Sequence, residues 1–219
     1  MMIKKIKATF SEKLILLFLL VLTIFVLSFT VIIKNKCLFV KNFNPQKIDF
    51  DKPENIVVLN VQCGNVFIEL YPDISPKAVK RFITLIRGNS YDNVAFHRVI
   101  KDKLIQAGDL EFGRKDKLDY GKIGTGESGL GTIKSEIDAE FDYKKGSVGL
   151  ARSLKYDTED SQFFIVLDDE PLFEGEYTPI GKVIYGIKIL EKIKYSHRSE
   201  YVLRPDFINT TRMYQSEVN

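Results

Sequence analysis

Residues 96–109, FHRVIKDKLIQAGD, set Arg98 and Gln106 eight positions apart among Phe96, Val99, Ile100, Leu104 and Ile105. A planar guanidinium beside an amide can hold the carbonyl groups of an extended peptide, and the apolar neighbours can supply a pocket for one of its side chains. In a strand, residues an even number apart share a face, so the two polar groups can point the same way if pairing is unbroken or interrupted evenly. On this stretch alone, an arginine and a glutamine on a solvated strand face is the simpler reading.

Other chemistries find less support. GTGESG at residues 124–129 is a literal G-x-G-x-x-G, but a dinucleotide site needs a strand directly before it and a helix opening from it. Here polar KDKLDYGK precedes it and GLGTIKSE follows, and Glu127 stands where a phosphate-binding loop would need lysine. The stretch reads as a flexible glycine-rich surface loop. There are two histidines, His97 and His197, with no HExxH motif or Cys/His cluster, so no metal site and no cofactor are expected. No nucleophile-elbow sequence accompanies His97, which reads as a packing residue rather than a base. Asp168, Asp169 and Glu170 read as a solvated turn.

The elements that must position Arg98 and Gln106 begin near Asn55. IVVLNV and VFIELY flank a turn at residues 62–65, which predicts a hairpin. Ser75 as N-cap, Pro76 at the first helical position, then Val79, Phe82, Ile83 and Ile86, with Gly88 at the end, predict an amphipathic helix. Further apolar runs lie at 94–105, 147–151, 163–167 and 177–184. Residues 186–193 suit a second helix, and 207–214 a closing strand. Many strands with one early and one late helix predict a closed antiparallel sheet with helices over its ends.

Charge is unevenly placed. The chain of 219 residues carries a formal +3, but residues 1–53 hold nine Lys against three acidic residues, net +6, which leaves −3 for the remainder. The body therefore gives no electrostatic reason to expect nucleic-acid binding. Leu14 to Ile33 is twenty residues without a charge, glycine or proline, about 30 Å of helix and so about one bilayer core. Lys4, Lys5, Lys7 and Lys13 precede it, and no small-x-small cleavage site follows Lys34, Asn35 and Lys36. Residues 1–34 are accordingly expected to form a basic segment and uncleaved anchor through residues 14–33, 35–53 a linker, and 54–219 the folded domain. The domain is expected on the exported side. Neither Cys37 nor Cys63 has metal-ligand spacing, and sequence leaves open whether they pair.

FHRVI...LIQAGD, GSVGLARS at 146–153, SQFFIVL at 161–167 and EGEYTPIGKVIYG at 174–186 resemble, in order and spacing, the cyclophilins, a family of peptidyl-prolyl cis-trans isomerases. LARS before SQFF, and Tyr177 where many eukaryotic members have histidine, resemble the bacterial branch. The resemblance extends over residues 55–215. It implies an eight-stranded antiparallel β-barrel capped by two α-helices, with proline-containing peptides and unfolded or exported proteins as partners. The expected location is a bacterial inner membrane, single-pass, with the domain facing the periplasm.

The resemblance also implies roles. Arg98 would donate to the prolyl nitrogen, Gln106 would hold a substrate carbonyl, and Phe164 with Leu104 and Phe173 would form the proline pocket. Ala151 and Arg152 would pair through their backbone with the residues before proline. Gln162 lies nearby, Leu172 takes the place of a tryptophan, and Tyr177 offers a hydroxyl at the pocket edge. Lys103 stands where the family usually has a pocket phenylalanine. A chain that kept the groove but turned over weakly or not at all would be a peptide-binding chaperone or scaffold.

Overall fold

In a computed structural model, residues 9–34, 36–38, 40–41, 49–197 and 199–215 are described; Lys4, Lys5, Lys7, Asn35 and the linker residues 42–48 lie outside them. The chain divides into two compact units, with the boundary between residues 39 and 40. The first carries helix α1, Phe10–Lys34, whose span Phe10–Ile32 is apolar and long enough to cross a membrane and is nowhere buried. Neither cysteine is a free thiol.

The second unit holds the sheet. The hairpin expected around residue 62 is β1, Ile56–Val61, against β2, Gly64–Leu70, and its alternating residues Val57, Leu59, Val66 and Ile68 enter the core. Phe50, inside the expected linker, already packs on this body, 5.7 Å from the Phe67 ring and 4.8 Å from Tyr214.

Helix α2, Pro76–Arg87, buries Ala78, Val79, Phe82, Leu85 and Ile86, one stripe at helical spacing. Its ends differ from expectation. Ser75 occupies the N-cap, but its hydroxyl donates to the Pro179 carbonyl, and the Glu136 carboxylate instead accepts from the Lys77 and Ala78 amides at 2.8 and 2.9 Å. An acid at this position also meets the positive end of the helix dipole. At the other end Gly88 keeps φ −80°, and Asn89 takes the left-handed conformation at φ 55°.

The run 94–105 is not one strand. Lys101, Asp102 and Lys103 turn the chain, with Asp102 at φ 59°, so that β3, Arg98–Ile100, folds back on β4, Leu104–Ala107. Asparagine and aspartate accept left-handed φ at low cost, which is why charge appears mid-run. The other strands are β5, Ser147–Leu150, β6, Phe163–Val166, β7, Pro179–Tyr185, and β8, Ile208–Met213. Helix α3 is only Ile187–Leu190, shorter than the 186–193 expected.

All eight strands form one antiparallel sheet in the order β3-β4-β6-β5-β7-β2-β1-β8. The sheet curls, and no ladder joins β3 to β8 among the described residues. Backbone bonds link the segments beside those edges: Asn93 N–H to Ile208 O at 2.8 Å, Ile208 N–H to Val94 O at 2.8 Å, and Phe96 N–H to Asp206 O at 2.9 Å. The core inside the curl includes Phe82, Phe96, Val99, Ile105, Val148, Phe163 and Ile165.

Candidate active site

Hairpin geometry brings Arg98 and Gln106 directly opposite each other, and Gln106 in turn faces Phe164, which faces Gly149. One row across four strands thus carries the guanidinium, the amide and the aromatic ring on a single face. The row beside it, Val99, Ile105, Ile165 and Val148, points to the other face and is core. Gly149 is required where it stands: an added Cβ would sit 2.5 Å from the Phe164 ring and 2.8 Å from the Tyr143 hydroxyl. Its absence lets the ring lie across β5.

A chain of hydrogen bonds runs along the row. Arg98 Nη1 donates to Gln106 Oε1 at 3.2 Å, Gln106 Nε2 donates to Gln162 Oε1 at 3.0 Å, and Gln162 Nε2 donates to the carbonyls of Gly124 and Gly126, each at 3.0 Å. At its far end, Arg98 Nε donates to Glu200 Oε2 at 2.7 Å.

Residues 124–126 are therefore not the flexible surface loop expected. The Gly124 and Gly126 amides donate to Asp109 Oδ2 at 2.7 and 3.0 Å, while the Glu111 and Phe112 amides bind its Oδ1. Asp109 is buried, and a Cβ on Gly126 would collide with its carboxylate. The loop is anchored by a buried carboxylate saturated with backbone donors. A signal was present in the sequence, an acid within an apolar run followed by two spaced glycines, but nothing local paired them.

Beside the polar row lies an aromatic box. Phe164, Phe173 and Tyr177 stand with ring centroids 4.9–5.3 Å apart, Tyr143 closes the back 5.8 Å from Phe164, and Ala151 packs against the group. Such tilted and edge-on contacts hold the rings at fixed angles. Leu104 is buried two residues before Gln106 on the same strand, opposite Val166. Burial pushes the Tyr143 phenol pKa up, and its hydroxyl donates to the Tyr177 carbonyl at 3.1 Å. Neither Tyr143 nor Phe141, which packs behind it, was among the residues expected here.

The remaining expected residues line the edges. The Ala151 amide is bonded to the Gln162 carbonyl at 2.8 Å. The Arg152 guanidinium lies over Tyr156 and Tyr177, 4.2 and 5.0 Å from their centroids, and donates to the Glu176 carboxylate at 2.9 Å and its carbonyl at 3.0 Å. It ties the 151–158 segment to the 174–177 turn, and the Tyr177 ring is held between it and the box. Leu172 is 82% exposed in a 3₁₀ turn at the rim. Lys103 Nζ is 3.4 Å from Glu170 Oε1; Glu170 is buried and donates its amide to the Tyr143 carbonyl at 2.8 Å, so it is not part of a solvated turn as expected. Between box and loop opens a recess of about 390 Å³ lined by Gln106, Gly126, Ala151, Ser153 and Gln162. His97 is buried beneath, its ring 6.4 Å from Tyr201, and burial holds its pKa down to about 4, so it is neutral at pH 7.

The family model "Cyclophilin type peptidyl-prolyl cis-trans isomerase/CLD" matches residues 56–213. A probable peptidyl-prolyl cis-trans isomerase of Brucella suis is 42% identical over 159 residues, covering 71% of this chain and 81% of the relative. One from Dictyostelium discoideum is 34% identical over 141 residues, covering 64% and 85%. A Cryptosporidium parvum cyclophilin type isomerase, crystallised in the presence of the dipeptide Ala-Pro, is similar with a TM-score of 0.64 at 28% identity, covering 74% of this chain and 99% of that one. The match takes in every strand of the sheet described above, and the chain belongs to the cyclophilin family of peptidyl-prolyl cis-trans isomerases.

Proposed function

We propose that Arg98 is the group through which this isomerase turns X-Pro bonds, with proline seated in the Phe164, Phe173 and Tyr177 box and Gln106 holding a substrate carbonyl. An X-Pro amide has a rotation barrier of about 18–20 kcal/mol and isomerises unaided in tens to hundreds of seconds. At the twisted transition state resonance is lost, and the pyramidal prolyl nitrogen gains a lone pair that accepts a hydrogen bond. A guanidinium N–H aimed there binds the twisted state better than either planar isomer, which is what catalysis requires. Lowering the barrier by roughly 7 kcal/mol would raise the rate on the order of 10⁵-fold. The proton stays on Arg98 throughout, so no base or nucleophile enters.

The observation that supports this reading is the register row Arg98, Gln106 and Phe164, which puts a guanidinium, an amide and an aromatic ring on one face. With the full chain in detergent and a proline peptide as substrate, Arg98→Ala is expected to lower kcat/KM by about 10²–10³-fold. Wild type no faster than buffer, with peptide binding that Phe164→Ala abolishes, would instead identify a peptide-binding chaperone or scaffold.

The location proposed is a bacterial inner membrane, with α1 as an uncleaved single-pass anchor and the isomerase unit, from about residue 54, facing the periplasm. There it would act on unfolded or exported proteins. The span of α1 and the oxidised state of both cysteines support this, since disulfides persist in oxidising compartments. The backbone bonds between 93–96 and 206–208 support reading the curled sheet as a closed barrel. Protease accessibility of the unit in intact cells tests the topology.

A further inference from the structure

Arg98 is held from two sides, and only one of them belongs to the polar row. Gln106 takes one N–H on Nη1 at 3.2 Å, and the Glu200 carboxylate takes the Nε–H at 2.7 Å. Of the five guanidinium N–H bonds, three remain, on Nη1 and Nη2. A single neutral acceptor would leave a long side chain free to swing about that contact. Two acceptors on different nitrogens fix the guanidinium plane, and with it the direction in which the remaining N–H bonds point.

Glu200 is itself placed by backbone pairing. Its carbonyl accepts from the Val99 amide at 2.8 Å, the Val202 amide donates to the His97 carbonyl at 3.0 Å, and Tyr201 bridges to Arg98. Residues 200–202 thus extend the sheet beyond β3. The Tyr201 ring lies so close to Gly124 that a Cβ there would sit 3.0 Å away. The same Gly124 receives the Gln162 amide, so the segment bearing Glu200 is braced against the loop that ends the hydrogen-bond chain.

From this geometry we infer that Glu200 is a positioning residue for the isomerase reaction: it orients the Arg98 guanidinium so that its free N–H bonds face the prolyl nitrogen. This rests on Arg98 being the donor. The carboxylate also offsets part of the positive charge that Arg98 presents. Arg98 is 30% and Glu200 53% exposed, however, so solvent screens that effect, while the directional constraint remains. A pair this exposed adds little to folding, so its loss is read in turnover rather than in stability.

The test is a double-mutant cycle on the full chain with a proline peptide. Glu200→Ala is expected to lower kcat about fivefold with KM nearly unchanged, since a misaimed group loses transition-state contact more than ground-state binding. Glu200→Gln, which keeps an acceptor for the Nε–H, is expected to stay within about twofold of wild type. In an Arg98→Ala background, Glu200→Ala is expected to change nothing further. Wild-type or higher turnover in Glu200→Ala overturns the inference, as does an equal loss in both backgrounds, which would mark a structural role. If Arg98→Ala alone keeps full activity, the donor reading fails first and this inference with it. A strong effect of Arg98→Ala with none of Glu200→Ala removes this inference alone.

Discussion

Phe163 and Phe164 are neighbours in β6, identical in type and both buried, yet they belong to different parts of the molecule. Phe163 meets Phe82 at 5.2 Å and Tyr91 at 5.4 Å inside the curl, a cluster sealed by helix α2. Phe164 meets Phe173, Tyr177 and Tyr143 on the other face, in a small cluster beside an open recess. The same alternation separates His97 from Arg98 and Ile105 from Gln106. Strand periodicity thus writes core and site into the same few residues, one position apart. What distinguishes them is size and edge: the inner cluster belongs to the large core, and the outer one is small and bordered by the partly buried Phe173 and Tyr177.

The largest effect follows from breaking the inner side. Phe163→Ala leaves a cavity that Phe82 and Tyr91 cannot fill, at a cost of about 3–5 kcal/mol and a melting point lower by roughly 10 °C in calorimetry. Phe164→Ala is expected to cost somewhat less stability, because its cluster is smaller and two of its rings, Phe173 and Tyr177, are only partly buried, while turnover falls at least about tenfold. Equal melting points for the two variants would mean that the faces are not distinct in the way described.

His97 provides the next largest effect, also on the inner side. Burial lowers its pKa from 6.5 to about 4 in the folded chain. Between those values the unfolded chain binds a proton that the folded chain refuses, so stability is intact above pH 6.5 and falls as pH drops towards 4. The loss is about 2 kcal/mol from pH 7 to pH 5. Urea midpoints across that range are expected to fall in wild type and to stay flatter in His97→Gln. Parallel slopes would place the imidazole in water instead.

These contrasts also mark what could be read from the residues alone. Hairpin β1–β2 and the stripe of α2 announce themselves through local periodicity, while the strands at 147–150 and 163–166 show as short apolar runs because they are buried on both faces. Arg98 and Gln106 were legible as candidates, but their true relation, opposite each other across a turn at Asp102, depends on a backbone conformation that alternation cannot express. The use of Glu136 rather than Ser75 at the start of α2 comes from partners distant in sequence. The pairing of Asp109 with residues 124–126 and the approach of Glu200 to Arg98 could not be read for the same reason. Separations of 15 and 102 residues leave no local trace.

Lys103 gives the smallest expected effect and tests how much the outer cluster needs to be closed. It sits at the turn of the β3–β4 hairpin, its side chain 60% exposed and its ammonium 3.4 Å from Glu170. Lys103 is exposed and solvent screens its charge, although Glu170 is buried, so Lys103→Phe is expected to lower the melting point by only a few degrees. An aromatic ring there would add apolar wall to the box, and KM for a proline peptide is expected to fall about threefold with kcat unchanged, since the gain is uniform binding. The positive charge at the mouth should also slow peptides bearing lysine next to proline, a penalty that fades at high salt and disappears in the variant. If neither KM nor the salt dependence moves, residue 103 lies outside the proline pocket. The box is then complete with Leu104, Phe164, Phe173 and Tyr177, and the outer cluster works because it is open, with the lysine only a bystander at its edge.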